Sequence, residues 1–362
     1  MMTSAVALSA RDLAAAVRMA RSAMPGRGDK TVSITAARGG VAVTGGGPDV
    51  RAEAFVASES PGGLAASFDS GLLLGALHGQ DGKVWLSPNG SHVTVAGHGR
   101  EVSIPKASPP GTPDLPAGKP WASGDAGEFR RALARAAKHA SADLTRPILC
   151  HVLITPDEGG LMVAIDSYRM AMIPAGLAFG KAARDALANA AGLRAVLAGL
   201  GAKPAGRVRV RRSATHIAVT HAGRTWHVAL MDTEKFPDWR QLIPGECEIS
   251  VEADRAGLLE AARACAAMPA RGAPVRLTAS RDRLDLTLAG LAPDLTVRAG
   301  VPARTRGGRK GRDLPLEIGL NPEFFADALA AQDGETVTLK LISPLRPAIV
   351  GDVLVMPIRL NV

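Results

Sequence analysis

The chain has 362 residues, 46% of them hydrophobic and 21% charged, enough length and apolar content for roughly two to three buried cores. No apolar run is long enough to span a bilayer as a helix, and apolar residues recur along the whole chain, which excludes a helical membrane protein and a disordered chain. Forty-three Lys and Arg stand against thirty-four Asp and Glu, a formal net charge of +9, and an excess of this size calls for an acidic partner.

The predicted elements come in one order, three times. An amphipathic helix opens at Ser9 (SARDLAAAVRMARSA), with Ser9 as its N-cap and Leu13, Val17 and Met19 at helical spacing. The alternating run TVSITAARGGVAVTG reads as a hairpin. Gly45-Gly46-Gly47-Pro48 is then a turn and not a phosphate cradle, because no helix follows it directly. A second helix starts at Asp69 (DSGLLLGALHG), and the strands KVWLSPNGSHVTVAGHGREVSI close the unit. Past a proline-rich linker at 106–120 the order restarts with a helix from Gly124 (GDAGEFRRALARAAKHA), whose apolar face is Phe129, Leu133 and Ala137. The strands ILCHVLITPDEGGLMVAID follow, with Asp157 to Gly160 as a hairpin turn. A helix from Arg184 (RDALANAAGLRAVLAGL) and the strands VRVRRSATHIAVTHAGRTWHVALM complete the second unit. After Ile243-Pro244-Gly245 come a helix from Glu252 (EADRAGLLEAARACAAM), the strands PVRLTASRDRLDLTLAG, and a helix capped by Asn321 with Pro322 at its first position. The strands TVTLKLISPLRPAIVGDVLVMPIRL end the chain. The expected architecture is α+β with three domains, at 1–118, 119–245 and 246–362.

The charge is uneven across these thirds. The first has 10 basic and 9 acidic residues, the second 18 and 10, the third 15 and 15, so almost all the excess lies in the middle. Charge concentrated in this way suits a nucleic-acid backbone held without reading its sequence. Aromatic residues make up only 3% of the chain, with Tyr168 the single tyrosine, too few to read single strands by stacking. Cys150, Cys247 and Cys265 are odd in number and have no C-x-x-C spacing, which argues against a disulfide framework or a zinc site and fits a reducing cytoplasm. The segment MMTSAVALSARDL lacks the basic start and apolar stretch of a secretory signal. No G-x-S-x-G, phosphate-loop or H-E-x-x-H motif occurs, so neither enzyme chemistry, nor a metal, nor a cofactor is expected. Asp166 and Asp238 are better read as caps or local partners than as an acid/base pair. The basic run Arg304 to Arg312 is either a phosphate grip or a solvated loop.

Four segments then resemble one family. Phe236-Pro237-Asp238-Trp239-Arg240, with Leu242 and Pro244 beyond, resembles the FPD-aromatic-R segment that closes the second domain of the bacterial sliding clamp, the β subunit of DNA polymerase III. Ala164 to Ala171 (AIDSYRMA) is similar to that family's "TDGHRLA" turn, Val355 to Leu360 (VMPIRL) to its terminal "MPMRL", and Gly319-Leu320-Asn321-Pro322 to its "FNP" helix start. The four fall in register on the threefold repeat.

The resemblance implies a head-to-tail homodimer whose six domains ring duplex DNA, with helices lining the hole and sheets outside. The ring would hold DNA by encirclement, with diffuse positive charge and no base reading. It implies DNA-facing cations at Arg27, Arg130, Arg131, Arg135 and Lys138, and charge moved to Arg184 and Arg194 where the family's Arg-Lys pair is replaced by Asn189-Ala190-Ala191. It implies a groove for short peptides of the replicative polymerase, the clamp loader and repair factors, walled by Leu149, Tyr168, Arg169, Met170, Pro237, Gln241, Leu242, Met356, Pro357, Ile358 and Arg359. Ser167-Tyr168 in place of the family's Gly-His would make this wall bulkier, and Asn361-Val362 extend past the usual last Leu. The ring seam would join Val102, Ser103 and Ile104 to the partner's helix end at Ala266-Ala267, where larger aliphatics are common. Less apolar area there predicts a weaker ring. The competing expectations are a clamp paralogue with impaired ring closure, acting in repair, in resistance or as a binding module, and an enzyme on a repeated scaffold.

Overall fold

The computed structural model of the chain describes residues 5–24, 30–58, 60, 63–109, 115–116, 118–245, 247–268, 273–289, 296–307 and 314–360. Each of the six α-helices among them springs from the end of a strand through one polar cap. The helices are α1 (Ala10–Ser22, capped by Ser9), α2 (Ser70–Leu77, Asp69), α3 (Ala126–Ala137, Asp125), α4 (Ala190–Leu200, Asn189), α5 (Arg255–Ala266, Asp254) and α6 (Pro322–Ala330, Asn321). In each case the cap's side-chain oxygen accepts first-turn N–H groups that have no partner inside the helix. Ser9, Asp69, Asn189, Asp254 and Asn321 share φ between −66° and −58° and ψ between 121° and 124°, the extended backbone of a strand's last residue.

Three helix starts therefore differ from expectation. Gly124 and Glu252 lie in the strands Lys119–Asp125 and Ile249–Asp254, and Arg184 lies in a loop before the strand Ala186–Asn189. Gly45 and Gly46 also belong to a strand, Gly40–Gly46. A Cβ at Gly45 would stand 2.8 Å from the Ala20 carbonyl oxygen, so this glycine lets α1 lie close on the sheet.

The chain forms two compact units: residues 1–137, 150–161 and 175–234, and residues 138–149, 162–174 and 235–362. The first is built on an antiparallel sheet in the order Ala65–Asp69, Thr31–Ala37, Gly40–Gly46, Val50–Ala57, Arg224–Met231, His216–His221, Arg207–Arg212, Lys119–Asp125, Ala178–Phe179. Helices α1, α3 and α4 cover one face, over alternate residues such as Ile34, Val43, Val208, Val219 and Trp226, all fully or almost fully buried. A second sheet, Val6–Ser9, Lys83–Asn89, His92–Gly97 and Arg100–Pro105, packs with α2.

The second unit has a sheet in the order Arg169–Pro174, Val353–Val355, Ala348–Val350, Thr336–Leu341, Ile249–Asp254, Thr296–Gly307, Arg283–Ala289, Val275–Ala279, Leu316–Leu320. Helices α5 and α6 pack together against it, centred on the buried Leu258 and Phe325. Because Arg169, Met170 and Ala171 pair with Val355, Leu354 and Val353, a piece of the middle third joins this unit. The division by compactness and the threefold repeat of element order are thus two different partitions of the same chain.

Candidate functional site

The second unit carries a cleft of about 900 Å³ with mainly apolar walls. Leu149 comes from a short 3-10 turn, Met170 from the strand beside Val353–Val355, and Pro237, Gln241 and Leu242 from the segment around the 3-10 turn Trp239–Leu242. The loop 342–347 and the end of the last strand close the cleft with Ile342, Leu345, Arg346, Pro347, Leu354 and Met356. Leu242, Leu345 and Met356 are large apolar side chains exposed by 46%, 64% and 43%. Three such side chains around one concavity make a surface that gains by being covered, at roughly 25 cal/mol per Å² buried.

The turn beside the cleft fixes Arg169. The Asp166 carboxylate accepts from the backbone N–H of Tyr168 (3.1 Å) and Arg169 (3.0 Å) and from Arg169 Nε (2.7 Å). Arg169 Nη1 donates to Asp327 Oδ2 at 2.7 Å and Nη2 to the Lys138 carbonyl at 3.2 Å, while the guanidinium lies 4.5 Å over the Phe324 ring. Lys138 Nζ meets the other Asp327 oxygen at 2.6 Å. Burial pushes the Asp327 carboxyl up, but hydrogen bonds and charge from Lys138 and Arg169 outweigh it and hold the group below the usual carboxylate range. Arg169, only 9% exposed, is thus a strut and offers little to a ligand. The cleft's uncommitted cation is Arg346, exposed and without a carboxylate partner among the described residues.

Of the expected wall, Leu149, Arg169, Met170, Pro237, Gln241, Leu242 and Met356 come together around the cleft. Tyr168, Pro357, Ile358 and Arg359 do not. Tyr168 turns out of the Asp166 turn and stacks on Phe324 with ring centroids 6.0 Å apart, so Ser167, not the tyrosine, faces the cleft. Ile358 donates its N–H to the Gly319 carbonyl at 2.7 Å, which lays 357–360 along the strand Leu316–Leu320. Within the expected strand group TVTLKLISPLRPAIVGDVLVMPIRL, Pro344 and Pro347 are the signal of the loop that separates Thr336–Leu341 from Ala348–Val350. Asp238 accepts from Gln241 Nε2 at 2.8 Å and, like Asp166, is a local partner.

The expected DNA-facing cations have mixed placements. Arg131 and Arg135 lie along α3, exposed and half-buried. Arg130 donates to the Gly201 carbonyl at the end of α4, and Arg194 Nη2 donates to the Ala137 carbonyl at the end of α3 at 2.8 Å. Each arginine sits in the first turns of its own helix, so α3 and α4 run antiparallel and each supplies a cation to the other's negative end. Lys138 is paired to Asp327, Arg184 is exposed in its loop, and Arg27 lies outside the described residues, as do Asn361, Val362 and residues 308–312 of the basic run. Arg11, Arg18 and Arg21 form a further exposed basic stripe on α1, legible from their helical spacing. At the expected seam, Arg100–Pro105 is an edge strand, pairing only with His92–Gly97 among the described residues. Ala266 is half-buried and Ala267 exposed at the end of α5.

Comparison with known proteins adds the following. Residues 240–354 match the family model of the DNA polymerase III beta subunit, C-terminal domain. The whole chain superposes on solved sliding clamps. For the DNA polymerase sliding clamp of Bacillus subtilis the TM-score is 0.87 at 17% identity, covering 99% of both chains. For the DNA polymerase III subunit beta of Pseudomonas aeruginosa it is 0.85 at 19%, covering 98% of this chain and 100% of that one. For the beta subunit from Streptococcus pyogenes it is 0.84 at 19%, covering 99% and 100%. The fold is that of the sliding clamps, at low sequence identity.

Proposed function

We propose that this chain is a DNA sliding clamp: a homodimeric, non-catalytic, cytoplasmic ring that encircles duplex DNA and tethers a replicative polymerase and other partners through short peptides seated in the cleft of the second unit. The observation that carries the reading is coverage. The match to solved clamps runs over 98–99% of this chain and essentially all of theirs, and the C-terminal third independently matches the beta-subunit model. Domains at 1–118, 119–245 and 246–362 each supply one helix pair, and the pairs α1–α2, α3–α4 and α5–α6 all exist. The ring closes where the free edge of Arg100–Pro105 meets the end of the partner's third domain, a strand-edge contact made weaker by the small side chains of Ala266 and Ala267. Phosphate contacts fall to exposed, unstacked cations such as Arg131, with affinity coming from topology more than from contact energy. A paralogue that has lost ring closure is not favoured, since the match to solved clamps covers 98–99% of this chain.

The test is primer extension on a primed circular template with the cognate polymerase and clamp loader. Adding the protein is expected to lengthen the product made per binding event. Met356→Ala, which removes an exposed anchor from the cleft, is expected to reduce that gain by about tenfold in protein concentration required. Product length unchanged by the wild-type protein would contradict the reading.

A further inference from the structure

The positive charge of the middle third has a second address. Four of its basic residues fall within six positions of one strand, Arg207–Arg212 (RVRVRR). Val208 and Val210 are buried under the helices, so Arg207, Arg209 and Arg211 all stand exposed on the opposite face. Alternate residues of a strand are about 6.8 Å apart, so the three arginines leave one face of the strand as a ladder with that backbone spacing.

Nothing acidic answers them. Arg209 lies opposite Ser123 and Thr220, and Arg211 opposite Pro120 and Ala218. Asp125, opposite Arg207, is committed to the first turn of α3. Arg207 donates to Ser123 Oγ at 3.0 Å and Arg211 to the Gly118 carbonyl at 2.7 Å, and no carboxylate pairs with any of the three among the described residues. The row through Arg211 and Ala218 continues to the neutral His227 and then Arg51, and the row through Arg209, Thr220 and Thr225 reaches its first carboxylate only at Glu53, three strands away.

Arg209 and Arg211 also wall a cleft of about 600 Å³ whose other side is aromatic. Trp121 and Phe179 meet edge to face, with centroids 5.1 Å apart at 82°. Phe179 lies over Gly160, where a Cβ would come within 2.6 Å of the ring. Trp121 is 5% exposed and its Nε1 donates to the Arg184 carbonyl at 3.0 Å. The ring is thus a wall, with no open face on which a base can stack.

We propose that this face of the first unit receives an acidic, extended segment of a partner protein. Carboxylates at alternate positions meet the arginine ladder, and one aliphatic side chain in the same alternating row enters the Trp121–Phe179 cleft. An extended peptide repeats its side chains with the ladder's own period, and guanidinium–carboxylate pairs are short and bidentate. The surface is separate from the cleft of the second unit and does not depend on it.

The probe is a fluorescein-labelled peptide, Glu-Thr-Glu-Thr-Glu-Thr-Leu, whose glutamates and leucine share one face when extended, measured by anisotropy on the full chain at about 0.15 M salt. Its Gln-for-Glu counterpart and a short oligo-dT serve as comparisons. The Glu peptide is expected to bind, the Gln peptide about tenfold or more weaker, and the double variant Arg209→Glu with Arg211→Glu to lose about tenfold or more of Glu-peptide affinity. The milder Phe179→Leu is expected to weaken binding several-fold, and a circular dichroism melt establishes that each variant is folded. Retention of the charge-reversed variant on circular DNA is expected to equal that of the wild type, which separates this surface from the clamp activity. No binding of the Glu peptide, equal binding of the Glu and Gln peptides, affinity undiminished in the folded double variant, or tighter binding of oligo-dT would each overturn the proposal.

Discussion

Ser167 has φ 78°, a left-handed backbone that costs a side chain with a Cβ about 1 kcal/mol and costs glycine almost nothing. It stands where the resembling family's turn has Gly, and its hydroxyl accepts a 3.0 Å hydrogen bond from Arg146 Nη1. Ser167→Gly is expected to stabilise the fold by up to about 1 kcal/mol, seen as a higher denaturant midpoint with unchanged slope. A lower midpoint would show that the Arg146 contact matters more than the backbone. His227 gives a second test at this scale. Burial first, then the charge of Arg51 and of His216, hold its folded pKa at about 4, against 6.5 ordinarily. Between those values the unfolded chain binds the extra proton, so stability falls as pH drops from about 6.5 to about 4, by at most about 3 kcal/mol, and this contribution falls no further below. His227→Gln is expected to flatten that limb of a stability–pH curve. A limb of unchanged depth would place the acid sensitivity elsewhere.

At the scale of elements, the caps explain what the sequence showed and what it hid. Ser9, Asp69 and Asn321 stand out because an apolar periodic run begins just after them. Asp125, Asn189 and Asp254 do the same work and, like Ser9 and Asp69, end strands, but no comparable break in pattern marks them. In those segments the strand's alternation runs into the helix's period, and the start reads two to six residues early. Asn189 is the informative case, since its Oδ1 accepts the Gly192 N–H at 3.0 Å while its backbone still pairs with His151. Asn189→Ala is expected to cost about 1 kcal/mol in chemical denaturation, and Asn189→Asp to restore most of it. Equal losses in both would assign the cost to packing. The cleft was legible through the family resemblance at Met170, on a strand, and at Leu149, on a 3-10 turn. It was not legible at Tyr168, whose direction is set by a positive φ one residue earlier, or in 342–347, where two prolines turn a strand into a wall. Arg130 and Arg194 have the types of phosphate contacts, yet helix C-termini claim them, a pairing that depends on which helices lie antiparallel.

For the whole molecule, the repeated element order was readable because every copy keeps the same two helices and the same strand groups. Its grouping into two compact units was not, since that follows from which strand edges meet, as between Arg169 and Val355. Under the proposed function, ring closure by two copies of the chain is the property that decides activity at this scale. The direct measurement is the half-life of the loaded protein on a nicked circular plasmid and on the same plasmid cut once. Loss within minutes of cutting, with slow release from the intact circle, is the predicted result. Equal release from both forms would mean that charge alone binds the DNA, and no ring encloses it.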